Sequence, residues 1–181
     1  MTVFIAGGAK SGKSSYAQDV AVALANGGKR YYVATMIPVD AEDQERIRLH
    51  LLDREGMGFE TLERGRNLLS CLDQVDKDGA FLIDSVTSLL QNAIFPPEKN
   101  YEMDLAAARQ CADELESFAK AVKHAVFVSD YIYSDGEQYD PATQMYRKCL
   151  AGIDRRLAKL CDVVLEASSG QIFVHKGEWS L

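Results

Sequence analysis

Residues 2–14, TVFIAGGAKSGKS, decide the fold, because a short apolar run leads directly into a glycine-rich loop. Residues 2–6 predict a buried parallel strand that stops at the glycine pair. Positions 7–14 contain the pattern G-x-x-x-x-G-K-[ST], and apolar residues at helical spacing over 14–25 predict a helix behind it. A strand, a glycine loop and a helix in this order are typical of a loop that binds phosphate.

In such a loop, successive backbone N–H groups converge on phosphate oxygens, and the positive end of the following helix faces the same anion. We expect Lys13 to bridge the terminal phosphates and the Ser14 hydroxyl to ligate magnesium. The alternative is a glycine-rich turn with an exposed lysine. The flanking strand and helix favour the phosphate loop.

The rest of the chain alternates apolar strands with amphipathic helices, which predicts one α/β domain over residues 1–181 with a mainly parallel sheet flanked by helices. A polar segment over 134–141 contains the turn signal Asp135-Gly136. The last two strands are joined by a tight turn at 168–170, which predicts an antiparallel hairpin edge. Further strands are predicted over 30–35, 79–85, 125–129, 162–166 and 171–175, and further helices over 40–55, 62–75, 88–95, 105–123 and 145–160.

Composition excludes several classes of protein. The 181 residues carry a net charge of −7, so no general attraction to the nucleic-acid backbone is available. No apolar run approaches the ~20 residues needed to span a bilayer, and no leader pattern begins the chain, so we predict a cytoplasmic protein. The cysteines show no metal-binding spacing and are interpreted as reduced structural thiols: Cys71, Cys111, Cys149 and Cys161.

Asp84 closes an apolar strand, AFLID, at the edge where open α/β sheets gather their ligands. A phosphate-loop protein commonly places there the carboxylate that holds magnesium, directly or through water. The alternative is that Asp84 or Ser85 only caps the next helix. We expect the metal-side role for Asp84.

Arg46, His50 and Arg54 recur every four residues on the helix predicted over 40–55, so they form one stripe. Arginine forks hold phosphate oxygens, and a neutral imidazole can act as a nucleophile or base near neutral pH. The alternative is a solvated face on which the arginines pair with Glu42 or Asp53. His124 and His175 lack such neighbours and are interpreted as structural or surface residues.

Together these residues resemble the bifunctional adenosylcobinamide kinase/adenosylcobinamide-phosphate guanylyltransferase family. The resemblance lies in GGAKSGKS, the strand YVAT at 32–35, ERIRLH at 45–50 followed by Arg54, and AFLIDSVTSLLQNAIF at 80–95. It implies phosphorylation of the aminopropanol hydroxyl of adenosylcobinamide, then transfer of GMP from GTP to that phosphate through a guanylylated histidine. That histidine matches His50.

The resemblance also implies Mg²⁺, GTP and ATP as substrates, the corrinoid and its phosphate as small-molecule partners, and a small cyclic homo-oligomer such as a trimer. The segments 130–133 and 154–155 are expected on the substrate side of the cleft. Two alternatives remain, a phosphate-loop kinase of another small molecule and a nucleotide-binding protein without turnover. The nucleotide contacts implied by motif position are Gly7, Gly8, Ala9, Lys10, Ser11, Gly12, Lys13, Ser14, Ala34, Thr35, Met36, Leu51, Leu52, Asp53, Arg54, Glu63 and Asp84.

Overall fold

A computed structural model describes residues 1–73, 75–133 and 135–181. Within these residues the chain forms seven strands and five α-helices. The strands are β1 Thr2–Gly7, β2 Arg30–Ala34, β3 Glu60–Glu63, β4 Ala80–Asp84, β5 His124–Asp130, β6 Val163–Ser168 and β7 Gln171–Lys176. The helices are α1 Lys13–Ala25, α2 Ala41–Asp53, α3 Val86–Ile94, α4 Leu105–Ala121 and α5 Pro141–Leu160.

The strands join one sheet in the order β3-β2-β4-β5-β1-β6-β7. Every neighbouring pair is parallel except β6 and β7, which are antiparallel. The predicted α/β fold with an antiparallel hairpin edge is therefore confirmed. Because the central strands are parallel, the carboxyl ends of β1, β2, β4 and β5 meet at one edge of the sheet. Among the described residues, no helix has the length and apolar content to cross a membrane.

The sheet buries apolar side chains on both faces, since alternate strand residues point to opposite sides. On one face, Phe81 stacks on Tyr31 with ring centroids 4.7 Å apart and meets the edge of Phe118 from α4 at 5.4 Å. On the other face, α1 packs its buried Ala17 and Val20 beside Leu82 of β4. Both faces are thus covered by helices, as a parallel sheet requires.

The helix predicted over 62–75 is wrong. The chain instead forms the short strand β3 and then a 3₁₀ helix over Leu68–Asp73; Gln74 lies outside the described residues. β3 pairs in parallel with β2 at the edge of the sheet, and three of its four residues are exposed, so its sequence ETLE carries no apolar strand signal. Asn67, in the left-handed region at φ 51°, precedes the 3₁₀ helix.

The predicted starts of α3 and α5 are each late, because the capping residues were not used. Ser85 caps α3 by accepting a hydrogen bond from the backbone N–H of Ser88. Asp140 caps α5 by accepting from the N–H groups of Ala142 and Thr143, and Pro141 occupies the first turn. The polar segment predicted over 134–141 therefore ends where α5 begins; its first residue, Ser134, lies outside the described residues.

The four cysteines are free thiols in the described structure. Burial raises the pKa of the Cys71 thiol to about 11 and those of Cys111 and Cys161 to about 12. Thiols that stay protonated near neutral pH are poor nucleophiles and poor metal ligands. These values support the structural interpretation of the cysteines.

Candidate functional site

The loop between β1 and α1 has the backbone form of a phosphate cradle. Gly7 lies so close to β6 that a Cβ atom there would come 2.7 Å from the carbonyl oxygen of Ala167. Gly12 adopts a left-handed conformation at φ 86° immediately before α1, where a glycine is strongly favoured. The N-terminal N–H groups of α1 therefore follow the glycine loop directly and are available to an anion.

Lys13 opens α1 and folds back over the loop. Its Nζ atom lies 2.5 Å from Oδ1 of Asp130 and donates a hydrogen bond of 3.1 Å to the carbonyl oxygen of Gly8. The residue is only 7% exposed. The ammonium group is thus held at the carboxyl edge of the sheet, between the phosphate loop and the end of β5.

Asp84 ends β4 at the same edge and does not cap α3, because Ser85 does. The Tyr32 hydroxyl donates a hydrogen bond of 3.0 Å to its Oδ2 atom. Burial raises the pKa of the Asp84 carboxyl, and the contacts with Tyr32, His50, Ser14 and Lys13 oppose that rise. Two cationic side chains and a hydroxyl therefore face this carboxylate from different elements.

The Ser14 hydroxyl and the Asp84 carboxylate fit the magnesium ion that the phosphate loop predicts. The two groups lie within hydrogen-bonding reach of each other, and both are the hard oxygen ligands that Mg²⁺ prefers. A protein site for Mg²⁺ with a nucleotide commonly supplies one or two such ligands, and phosphates and water complete the coordination. Ser14 and Asp84 are the residues that would hold the ion here.

Helix α2 carries the arginine and histidine stripe along the cleft without entering the core, since none of its 13 residues is fully buried. Asp40 caps its start by accepting from the backbone N–H of Asp43. At its last turn His50 is half-buried and lies close enough to Asp84 to lower the pKa of that carboxyl. The stripe therefore does face the phosphate loop, as its spacing predicted.

Arg54 fixes the end of α2 to the sheet. Its guanidinium carbon lies 3.4 Å from the centre of the Tyr32 ring, a cation–π contact, and the residue is 7% exposed. Its buried Nη1 atom has no hydrogen-bond partner among the described residues. A buried guanidinium N–H without a partner costs free energy, so an anion in the cleft would supply the missing acceptor.

Arg46 is different, because it is exposed and lies only 3.7 Å from its own helix neighbour Asp43. The pairs with Glu42 or Asp53 that the alternative interpretation required do not occur among the described ion pairs. Both arginines nonetheless line the cleft. Arg46 is thus free to reorient toward a phosphate at little cost.

Replacing Arg54 with alanine is expected to weaken binding of a non-hydrolysable GTP analogue by about 10- to 100-fold, since a hydrogen bond to a charged group contributes ~1.5–3 kcal/mol. Arg54→Lys should recover only part of the loss, because an ammonium group lacks the planar fork that stacks on Tyr32. Isothermal titration calorimetry measures both. Arg48→Ala is the matched control on the same helix, because Arg48 pairs with Glu45 at 2.7 Å and does not line the cleft. Unchanged affinity in Arg54→Ala would show that the guanidinium only braces the helix.

These groups enclose a cleft of about 1050 Å³. That volume exceeds what a single drug-sized ligand usually fills, so a nucleotide and a second substrate can share it. The cleft brings together most of the predicted site residues from the loop, β2, α2, β3 and β4. The predicted residues in its wall are Ala9, Lys10, Ser11, Gly12, Lys13, Ser14, Ala34, Met36, Arg46, His50, Arg54, Glu63 and Asp84.

Other predicted contacts lie outside the wall of the cleft. Thr35 is fully buried, and its hydroxyl bridges β2 and β4 by donating to the carbonyl oxygen of Ser85 and accepting from the Ser85 N–H. Gly7 and Gly8 contribute to the cradle by backbone alone. On the far side of α2, Leu51 and Leu52 are about half exposed and Asp53 is exposed, and none of the three faces the cleft.

Two functional candidates were not singled out from the sequence. Tyr32 looks like an ordinary strand residue, but its ring supports Arg54 and its hydroxyl binds Asp84, so it links two site groups. Asp130 was expected only on the substrate side of the cleft, and it contacts Lys13 directly. Its position at the end of an apolar strand, like that of Asp84, is the sequence signal that identifies it.

A buried carboxyl, Asp154 of α5, lies behind the end of β5. The Tyr133 hydroxyl donates to its Oδ2 atom at 2.8 Å, the Ser129 hydroxyl lies beside it, and the Asp130 carboxylate is close enough to act on it. Burial raises the pKa of Asp154 to about 6, and the negative charge of Asp130 adds to the rise. The two segments expected on the substrate side thus meet behind the phosphate loop.

Asp154→Asn is expected to stabilise the protein at pH 7 but not at pH 4. A carboxyl whose pKa rises from 3.8 to about 6 on folding favours the folded state only while protonated, so its contribution is lost as pH rises from about 4 to about 6. The gain at pH 7 is at most ~3 kcal/mol. Urea unfolding of wild type and variant at both pH values measures it, with Asp19→Asn on the exposed face of α1 as control. An equal difference at both pH values would contradict the assignment.

The fold and site define a class, the α/β nucleotide-binding proteins with a phosphate loop. Three solved structures, all with a TM-score of 0.52, support the fold. They are an isolated ATPase domain (10% identity, covering 97% of this chain and 76% of that chain), an ATPase from the type III secretion system of pathogenic bacteria (14%, 91% and 50%), and PH0250 from Pyrococcus horikoshii OT3 (10%, 99% and 87%).

Residues 3–174 match the CobU family, described as cobinamide kinase / cobinamide phosphate guanyltransferase, and the chain belongs to that family. None of the proteins with curated functions is similar enough in sequence to count as a match. The family identifies a transferase of cobalamin biosynthesis that binds nucleotides. The resemblance of the motifs is thereby confirmed at the level of the family.

Proposed function

We propose that this protein phosphorylates the aminopropanol hydroxyl of adenosylcobinamide and then transfers GMP from GTP to the new phosphate through a guanylylated His50. One observation carries the proposal. A single cleft is lined by the phosphate loop, by Asp84 at the end of β4 and by the His50 face of α2. One bound triphosphate can therefore meet both a phosphate acceptor and an imidazole nucleophile.

In the kinase step the loop amides and Lys13 hold the β- and γ-phosphates, which orients the γ-phosphorus toward the acceptor. The acceptor oxygen forms a bond to that phosphorus, and the bond to the β-phosphate oxygen breaks. Lys13 offsets the negative charge that develops on the departing nucleoside diphosphate. Mg²⁺, held by Ser14 and Asp84, would add charge neutralisation at the same phosphates.

In the guanylyl transfer, a ring nitrogen of His50 attacks the α-phosphorus of GTP. The N–P bond forms as the bond to the β-phosphate oxygen breaks, and pyrophosphate leaves with the electron pair. An oxygen of the corrinoid phosphate then attacks the same phosphorus, and the N–P bond breaks to return the free imidazole. Arg46 and Arg54 line the cleft on the side of α2 and supply positive charge to these phosphates.

The direct test incubates the purified protein with Mg²⁺ and α-³²P-labelled GTP and then denatures it. We expect a label that stays on the protein, is lost in acid and survives alkali, as a phosphoramidate does. Addition of adenosylcobinamide phosphate should then move the label to the corrinoid. Phosphorylation of adenosylcobinamide itself is followed separately with γ-labelled ATP or GTP.

The outcomes separate this proposal from its alternatives. Phosphorylation of adenosylcobinamide without a covalent adduct, or with an adduct that His50→Ala retains, would leave a kinase alone. Transfer to another small alcohol would indicate a kinase of different specificity. Nucleotide binding with no transfer to any acceptor would identify a protein without turnover.

A further inference from the structure

The end of β5 occupies a decisive place in the sheet. In the strand order β5 lies between β4, which ends in Asp84, and β1, which leads into the phosphate loop. Its last residue, Asp130, is in register with Gly7. The terminal phosphate of a nucleotide in the loop lies between the loop and the metal-side carboxylate, so Asp130 borders it.

The Asp130 carboxylate is exposed to the cleft and held in place from behind. Its side chain is 28% exposed and lines the cleft, and its backbone N–H donates 2.9 Å to the Thr87 hydroxyl of α3. The next residue, Tyr131, donates its N–H to the carbonyl oxygen of Gly7 at 3.3 Å. The carboxylate is thus fixed relative to the loop by backbone contacts on two sides.

Lys13 neutralises Asp130 only while no nucleotide is bound. A triphosphate in the loop draws the Lys13 ammonium toward its own oxygens, which leaves the Asp130 carboxylate without that partner. A carboxylate beside a terminal phosphate disfavours binding, since like charges repel. An asparagine of the same shape would avoid the cost, so the charge needs a chemical use.

We propose that Asp130 is the general base of the kinase step, an inference that rests on the proposed function. The acceptor hydroxyl gives its proton to a carboxylate oxygen of Asp130 as its oxygen bonds to the γ-phosphorus. The bond between that phosphorus and the β-phosphate oxygen breaks, and the electron pair leaves with the nucleoside diphosphate. Asp130 returns the proton to water after the products leave, and Lys13 pairs with it again.

Guanylylation of His50 needs no such base, because the neutral imidazole attacks with its own lone pair. The two activities therefore respond differently to a change at Asp130. Asp130→Asn keeps the size of the side chain and removes its capacity to accept the proton. The ratio of the two rates reports on that capacity within one protein sample.

The experiment measures single-turnover phosphorylation of adenosylcobinamide from γ-labelled nucleotide and, on the same sample, labelling of the protein from α-labelled GTP. Asp130→Asn is expected to slow phosphorylation by about 10²- to 10⁴-fold. The ratio of phosphorylation to guanylylation should fall at least tenfold. Asp130→Glu, which retains a carboxylate one methylene further out, should be faster than Asp130→Asn. Asp19→Asn on the exposed face of α1 is the matched control.

A carboxylate that only tethers Lys13 would give the opposite result. Asp130→Asn would then bind nucleotide more tightly and phosphorylate at the wild-type rate, which would overturn the inference. Equal rates in the Asn and Glu variants would overturn it as well. Failure of the wild-type protein to phosphorylate adenosylcobinamide is a distinct outcome, which overturns the kinase half of the proposed function and the role of Asp130 with it.

Discussion

His50→Ala is expected to abolish the covalent guanylyl adduct and all transfer of GMP to the corrinoid phosphate. The variant lacks the only atom that forms the N–P bond, so no slower route through the same intermediate remains. Phosphorylation of adenosylcobinamide should persist, because the phosphate loop, Asp84 and Lys13 are intact. Gel autoradiography after incubation with α-labelled GTP measures the first effect, and thin-layer separation of the corrinoids measures the second.

The matched control is His175→Ala. His175 lies on β7, where its Nε2 atom is 2.8 Å from Oε2 of Glu166, and it does not line the large cleft. It should label as strongly as wild type. His50→Asn adds a variant that keeps a polar side chain without a nucleophilic nitrogen, and it should also fail to label. Retention of the alkali-stable label in either His50 variant would exclude His50 as the nucleophile.

The phosphate loop could be predicted from sequence because its signal is local. The apolar strand, the glycines and the lysine are contiguous in residues 2–14, and their geometry follows from backbone chemistry. Arg46 and His50 could be predicted to share the cleft for a related reason, since helical spacing alone puts them on one stripe with Arg54. No contact with a distant element was needed for either inference.

Other features depend on contacts between distant parts of the chain. Helical spacing placed Arg54 on the stripe, but it could not show that the ring of Tyr32, 22 positions earlier in the sequence, covers its guanidinium. The edge strand β3 is specified by its backbone pairing with β2 and not by an apolar pattern. Thr35 was placed by motif position among the nucleotide contacts, whereas its hydroxyl joins β2 to β4. Sequence periodicity carries no information about such partners.

Lys13→Ala is expected to lower both the kinase and the guanylylation rates by about 10³-fold or more, since the loss of one preorganised donor at developing charge typically costs 10²–10³ and Lys13 carries a full charge. Both reactions place negative charge on the β-phosphate oxygen as it departs, so one ammonium group serves both. Affinity for GTP should fall as well. Stopped-flow or quench measurements of each half-reaction, with calorimetry for binding, provide the three values.

The design must separate loss of chemistry from loss of structure, because Lys13 is almost buried and pairs with Asp130 at 2.5 Å. Thermal unfolding of Lys13→Ala establishes that the protein is folded, and Lys29→Ala, an exposed lysine before β2, controls for the loss of one positive charge. Parallel loss of both rates is the decisive result, because His50 and Asp130 serve different steps while the phosphate cradle serves both. Full GTP affinity in Lys13→Ala would place the triphosphate outside the β1–α1 loop, and the imidazole of α2 would then have no fixed α-phosphorus to attack.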